Sequence, residues 1–344
     1  MISSVPRPVV LPANQPRQFY RGGSAIAELR GVGDDRDSDD RDWGPEDWVA
    51  STTTRFGQQE AGLSRLPDGS LLRDAVRAAP QEWLGAEHVA DFGDSTALLV
   101  KLLDAGQRLP VHCHPSDAFA QQHLGSRFGK TEAWIVVGTS GANPVVYLGF
   151  REDVAPEAVA HWVRTQDSSA LLGSLNEIPV RAGDTVHVPA GTPHAIGAGV
   201  FIVELQQPTD FSVTLEWQGF LADAESAFLG MDRETALRTV NRSGFGDSAL
   251  ASLVKHTAEQ SGPRVPLLAE EAAEFFLADR LHGSVELEPS FGVLVVLDGS
   301  GRLTAQGESL GLRRGQTVVV PHSAGAPALD GDLTVVHCRP PKKP

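Results

Sequence analysis

The sequence predicts a mainly β protein made of two barrels with a helical insertion, and three observations carry that prediction. Its 35 glycines and 23 prolines punctuate short apolar runs, the pattern of strands joined by frequent turns. At 344 residues it exceeds one ordinary domain. Residues 315–326, GQTVVVPHSAGA, echo residues 183–197, GDTVHVPAGTPHAIG, and an apolar run leads to a glycine turn in each.

Each element follows from its local pattern. Residues 72–85, LRDAVRAAPQEWLG, carry apolar side chains at helical intervals and stop at a glycine, whereas residues 96–106 read as a buried strand ending in a turn. The strand signals WIVVG, PVVYLGF, DTVHVPAG, VFIVELQQ and FSVTLEW fill residues 106–218. They bracket an insertion at about 154–176 whose Val159, Trp162, Val163, Leu171 and Leu172 fall at helical spacing after Pro156. Residues 1–220 are thus expected to form a first barrel with that insertion. Residues 221–265 are expected to be a helical connecting segment, and 266–344 a second barrel. The acidic run at residues 34–42 reads as a solvated loop.

Composition excludes several classes. A formal charge of −15 argues against a nucleic-acid surface, because phosphate backbones need clustered Lys and Arg. No run approaches a membrane span or the apolar core of a signal peptide. The two cysteines, Cys113 and Cys338, do not make a disulfide framework, and a soluble protein of the reducing cytoplasm is expected. A homodimer through exposed sheet edges is compatible with the sequence, but nothing requires it.

The chemistry concentrates in one constellation. Gly106 is followed after five residues by His112 and then His114, which as alternate strand residues project to one side. Glu132 opens an apolar strand, and residues 183–194 end in Pro189, Gly191 and His194. Three imidazoles and a carboxylate from separate strands suit one borderline divalent cation. These two spacings match the paired signature motifs of the cupin superfamily, so the architecture is expected to be a double cupin. The second barrel lacks the paired histidines and is expected to be structural. His187 could face this site or the other side of its sheet.

The residues further resemble type I mannose-6-phosphate isomerases. LPVHCHPSDAFAQQHLGSRFGKTEAWIVVG is similar to that family's Gln-x-His-Pro-Asp-Asp and Gly-Lys-Thr-Glu-x-Trp stretch. RAGDTVHVPAGTPHAIGAGVFIVELQQPTD is similar to its Val-Pro-Ala-Gly-Thr-x-His-Ala-Ile and Glu-x-Gln-Gln-x-Ser-Asp run, and GPEDWVAST to its early Glu-x-Trp segment. The resemblance implies one zinc ion on His112, His114, Glu132 and His194, and interconversion of mannose 6-phosphate and fructose 6-phosphate. It further implies that Lys130 faces the substrate and that Glu204 and Asp210 are acidic residues of the active-site strand. Trp48 and His187 join Lys130 and Asp210 as candidate substrate contacts.

The chain departs from that family twice. His112 stands where the family usually has Gln, which makes iron, manganese or nickel alternatives to zinc. Thr214 stands where the family has its catalytic arginine, and threonine supplies neither the charge nor the forked donor. Arg127 and Arg164 are candidate substitutes. Glu204, on the apolar run VFIVEL, is the favoured base for proton transfer through an enediol, because burial raises a carboxyl pKa. Lys130 is the candidate cation for the enediolate. Another cupin metalloenzyme, an oxygenase or lyase, and a non-catalytic sugar-binding double cupin are the competing readings.

Overall fold

The computed structural model describes residues 5–32 and 44–342; the acidic run at 34–42 lies outside them. The chain is mainly β, and three sheets organise it. A six-stranded sheet runs in the order Val254–His256, Asp184–Val188, Glu132–Thr139, Val200–Gln206, Leu99–Asp104 and Glu46–Val49. A five-stranded sheet runs Val213–Thr214, His112–Cys113, His194–Ile196, Val145–Phe150 and Leu175–Pro179. These two sheets close the first barrel. The alternation of each strand decides what lies inside. Trp134, Val136, Val186, Val188 and Ile202 of the larger sheet pack with Val146, Leu148 and Ile196 of the smaller.

The other face of the six-stranded sheet carries Val100, Leu102, Ala133, Ile135, Val203 and Leu205. It packs against Val293, Val295, Val319 and Val336 of the C-terminal eight-stranded sheet. This explains why strands such as Leu99–Asp104 read as near-continuous apolar runs: they are buried on both faces. The second barrel has its own interior, built on Leu294, Val296, Val318 and Val335. Val9–Leu11 pairs with Thr317–Val320, a union of distant parts of the chain that strand runs alone do not predict.

The helical readings need refinement. Residues 72–85 form two helices, Leu72–Ala78 and Pro80–Leu84, because Pro80 has no N–H to continue the first and starts the second. The insertion is likewise two helices, Pro156–Thr165 and Ser168–Gly173, which cover the outer face of the five-stranded sheet through Val159, Val163 and Leu171. The stretch expected to be mostly helical ends in a strand, Val254–His256, which pairs with Asp184–Val188. No helix among the described residues is long and apolar enough to cross a membrane. Cys113 and Cys338 are free and buried, and burial pushes both thiols up.

Candidate metal centre

The site forms where the two sheets of the first barrel meet. His112 and His194 are cross-strand partners in the five-stranded sheet. His114 follows two residues after His112, and Glu132 opens a strand of the six-stranded sheet. Two glycines permit the approach of these segments. A Cβ at Gly129 would lie 2.3 Å from the carbonyl oxygen of Pro115, and Lys130 N–H donates to that oxygen. Gly191, at φ +84°, donates its N–H to the carbonyl of His114 and so ties the His194 turn to the strand of the other two histidines.

The three imidazoles converge: one ring nitrogen of each of His112, His114 and His194 lies within 4.8 Å of the others. Backbone carbonyls fix which nitrogen that is. The Nδ1 atoms of His112, His114 and His194 donate to the carbonyls of Pro110 (2.9 Å), Phe211 (2.7 Å) and Thr192 (2.8 Å). A carbonyl only accepts, so Nδ1 carries the proton and Nε2 presents a lone pair to the common space. Nε2 of His194 is buried without a hydrogen-bond partner. An unpaired buried acceptor is costly, and three imidazoles turning Nε2 lone pairs toward one space fit a cation. Glu132 closes the set, with Oε1 3.1 Å from His114 Nε2 and Oε2 3.6 Å from His194 Nε2.

Electrostatics keep the imidazoles neutral and the carboxyl ionised. Burial lowers His114 and His194 to about 3, and for His194 the neighbouring His114 adds to the effect. Burial alone would raise Glu132, but His114 and Lys130 outweigh it and hold the carboxyl well below its ordinary value. Lys130 lies 2.8 Å from Glu132 Oε1 and 3.4 Å from His114 Nε2. The loop carrying it is braced by Gln207 and Asp117: Gln207 Oε1 accepts from Thr131 N, and Asp117 Oδ1 accepts from Gly129 N.

A row of charge lines the same cavity, whose volume is about 230 Å³. Glu204 pairs in register with Lys101 on one side and Trp134 on the other. Burial, reinforced by the charge of Glu132, raises Glu204 to about 8, against the pull of Lys101 and Lys130. Its Oε2 has no hydrogen-bond partner, with Lys101 Nζ 3.6 Å away. Lys101 also lies 3.4 Å from Glu46 Oε2 and 4.7 Å above the Trp48 ring. Glu46 accepts from Gln18, Tyr20 and Trp48. Burial also raises Asp210 at the cavity wall.

Of the residues expected from sequence, His112, Glu132, His194, Lys130, Glu204 and Asp210 all line this cavity, with His114 buried directly behind them. Two do not reach it. Trp48 is fully buried behind Glu46 and Lys101, because its indole donates to Glu46 Oε2 and supports the Lys101 ammonium. His187 faces the opposite side of its sheet: it pairs with Ala133, an outward residue of the adjacent strand, and its ring lies beside Phe275. Thr214 pairs with His112 and lines the cavity. The candidate substitutes lie elsewhere: Arg127 covers the Phe128 ring and Arg164 meets His161.

Sequence reasoning missed Lys101, Glu46, Tyr20 and Arg55, which also line the cavity. Lys101 left a signal, as the one charge inside the otherwise apolar run LLVKLL. Glu46 is the glutamate of the Glu-x-Trp segment. Tyr20 and Arg55 sit in loops whose place only the fold reveals.

A closed barrel with three convergent imidazoles and an adjoining carboxylate defines a metal-binding cupin. Comparison with known proteins narrows this. The chain is 30% identical over 283 residues to the mannose-6-phosphate isomerase of Streptococcus mutans, covering 80% of this chain and 85% of that one. It is 27% identical over 244 residues to a mannose-6-phosphate isomerase of Bacillus subtilis, covering 70% and 73%. The chain belongs to the mannose-6-phosphate isomerase family. The crystal structure of a Bacillus subtilis mannose 6-phosphate isomerase has the same fold, with a TM-score of 0.73 at 21% identity over 97% of this chain and 100% of that one. The apo form of the Salmonella typhimurium enzyme gives 0.72 at 14% identity over 98% and 100%. No family model matches the sequence.

Proposed function

We propose that the chain is a metal-dependent aldose–ketose isomerase that interconverts mannose 6-phosphate and fructose 6-phosphate, with Glu204 as the base. The observation that carries this reading is the position of Glu204. It is a buried carboxyl of raised pKa with one oxygen unpaired, in the same cavity as three converging imidazoles. A base poised near the working pH is what carbon-acid proton transfer needs.

His112, His114, Glu132 and His194 would hold the ion, and zinc is proposed on the family resemblance. A divalent cation there supplies Lewis acidity toward sugar oxygens. The remaining work falls to the chain. The carboxylate of Glu204 takes the proton from C2 of the aldose, the C2–H electron pair becomes the C1–C2 double bond, and the C1=O π pair moves to O1, giving an enediolate. The same carboxyl returns the proton to C1, and a hydroxyl proton moves from O2 to O1, giving the ketose. Lys101 and Lys130, on either side of Glu204, favour the anionic intermediate and keep part of Glu204 ionised at neutral pH. Trp134 and Leu103 line the wall and exclude water from the enediol.

Turnover of mannose 6-phosphate by metal-loaded protein tests the reading. Glu204→Gln should lose 10²-fold or more in kcat, roughly what a positioned base contributes, while retaining its metal. Activity within a few-fold of wild type would remove Glu204 from this role. Absence of any aldose–ketose turnover by the wild type would remove the function.

A further inference from the structure

A second cavity of about 400 Å³ adjoins the metal cavity, and the two share Arg55, Phe56 and Asp210 as a common wall. Its lining is unlike the rest of this acidic chain. Arg55, Arg73 and Arg77 enter it together with the hydroxyl residues Thr52, Ser95 and Ser126. Three guanidiniums and several hydroxyls share this concave surface with two carboxylates, Asp94 and Asp210, which leaves a basic excess in a protein of net charge −15.

Arg55 differs from its two neighbours. Arg73 and Arg77 each meet a carboxylate, Asp74 at 3.4 Å and Asp94 at 3.2 Å, and the Arg77 pair is exposed on both sides. Arg55 is half-buried, and its Nη1 donates to the carbonyl of Arg17. Its Nε is buried with no hydrogen-bond partner among the described residues. A buried charged donor left without an acceptor is expensive unless something else supplies the acceptor. The loop is held in place from the metal side, because Phe56 N–H donates to Asp210 Oδ2 at 3.1 Å. Across the metal cavity, Thr214 occupies the position where an arginine is expected and leaves it without that cation.

We propose that Arg55 binds the phosphate of the substrate from this second cavity, and so takes over the anion recognition that Thr214 cannot provide. The inference rests on the reading of the metal cavity as a sugar-phosphate isomerase site. It assigns the phosphate end to the Arg55 side of the shared wall and the carbonyl end to the Glu204 side. Arg73 and Arg77 add longer-range attraction, and Arg55 supplies the direct contact.

The test uses metal-loaded full-length wild type, Arg55→Gln and Arg55→Lys, with inorganic phosphate as the probe in calorimetry and hexose phosphate in turnover. Arg55→Gln should weaken phosphate binding at least 10-fold and raise KM for the hexose phosphate by a similar factor, with kcat within about threefold. Arg55→Lys should recover part of the binding, because it restores charge without the fork. Phosphate affinity and KM within twofold of wild type in Arg55→Gln would overturn the inference while leaving isomerase activity intact. Arg55-dependent phosphate binding by a protein without isomerase turnover would sustain the anion site and overturn the isomerase reading instead. If Arg55→Gln does not fold, wild-type phosphate affinity in the folded Arg55→Lys protein overturns the assignment.

Discussion

Lys101 offers the sharpest test of how the site is held together. Its ammonium is buried, 3.4 Å from Glu46 Oε2, 3.6 Å from Glu204 Oε2 and 4.7 Å above the Trp48 ring. Lys101→Met keeps the length and apolar stem and removes only the charge. Two buried carboxyls then lose their shared cation, and breaking such a pair costs about 3–5 kcal/mol. At about 2.1 cal/mol/K per residue, a chain of 344 residues has an unfolding entropy near 0.7 kcal/mol/K, so Tm falls by roughly 4–7 °C. The sign with pH is also fixed. Glu204 is raised to about 8 by burial and Glu132, and Lys101 opposes that rise. A raised carboxyl contributes stability fully below its solution value near 4.5 and loses it as pH rises through the folded value. The deficit of Lys101→Met should therefore be widest at pH 8–9 and narrower at pH 5. Urea denaturation of metal-free wild type and variant at both pH values measures it. A deficit under about 1 kcal/mol at pH 8, or a larger one at pH 5, would refute the argument.

Two further outcomes follow from the histidines. Zinc at 100 times its Kd should stabilise the metal-free protein by about 2.7 kcal/mol, or roughly 4 °C in Tm, and His194→Ala should abolish the shift. A wild-type Tm indifferent to zinc would remove the metal site. Without metal, His114 and His194, lowered to about 3 chiefly by burial, stabilise the fold above their solution value near 6.5, and that stability is lost as pH falls toward 3. Each costs about 1.4 kcal/mol per pH unit below 6.5. Denaturant midpoints from pH 7 to pH 5 should thus fall more steeply for wild type than for His194→Gln, and parallel curves would contradict it.

The sequence by itself determined the fold class and pointed to the residues proposed to hold a metal. The spacing of His112 and His114 on a strand, the opening glutamate at 132 and the turn before His194 are local patterns. Their consequence, projection toward one space, follows from the two-residue period of a strand. The apolar run around Glu204 announced burial, and burial is the largest cause of its raised pKa. The same local logic failed where two opposite outcomes share one pattern. His187 lies on a strand buried on both faces, so apolar neighbours could not say which face it takes; pairing with Ala133 turns it away from the site.

Tertiary structure decided everything that depends on segments distant in sequence. Val9–Leu11 meets residues 317–320, Lys101 acquires Glu46 and Glu204, and the loop bearing Arg55 is tied to Asp210 across 154 positions. Such pairings are set by the closure of sheets and the packing of one barrel on another, for which no single window of sequence carries the information. The empty arginine position at Thr214 could be read from the chain, but Arg55 as the group facing the same cavity could be found only in the folded protein.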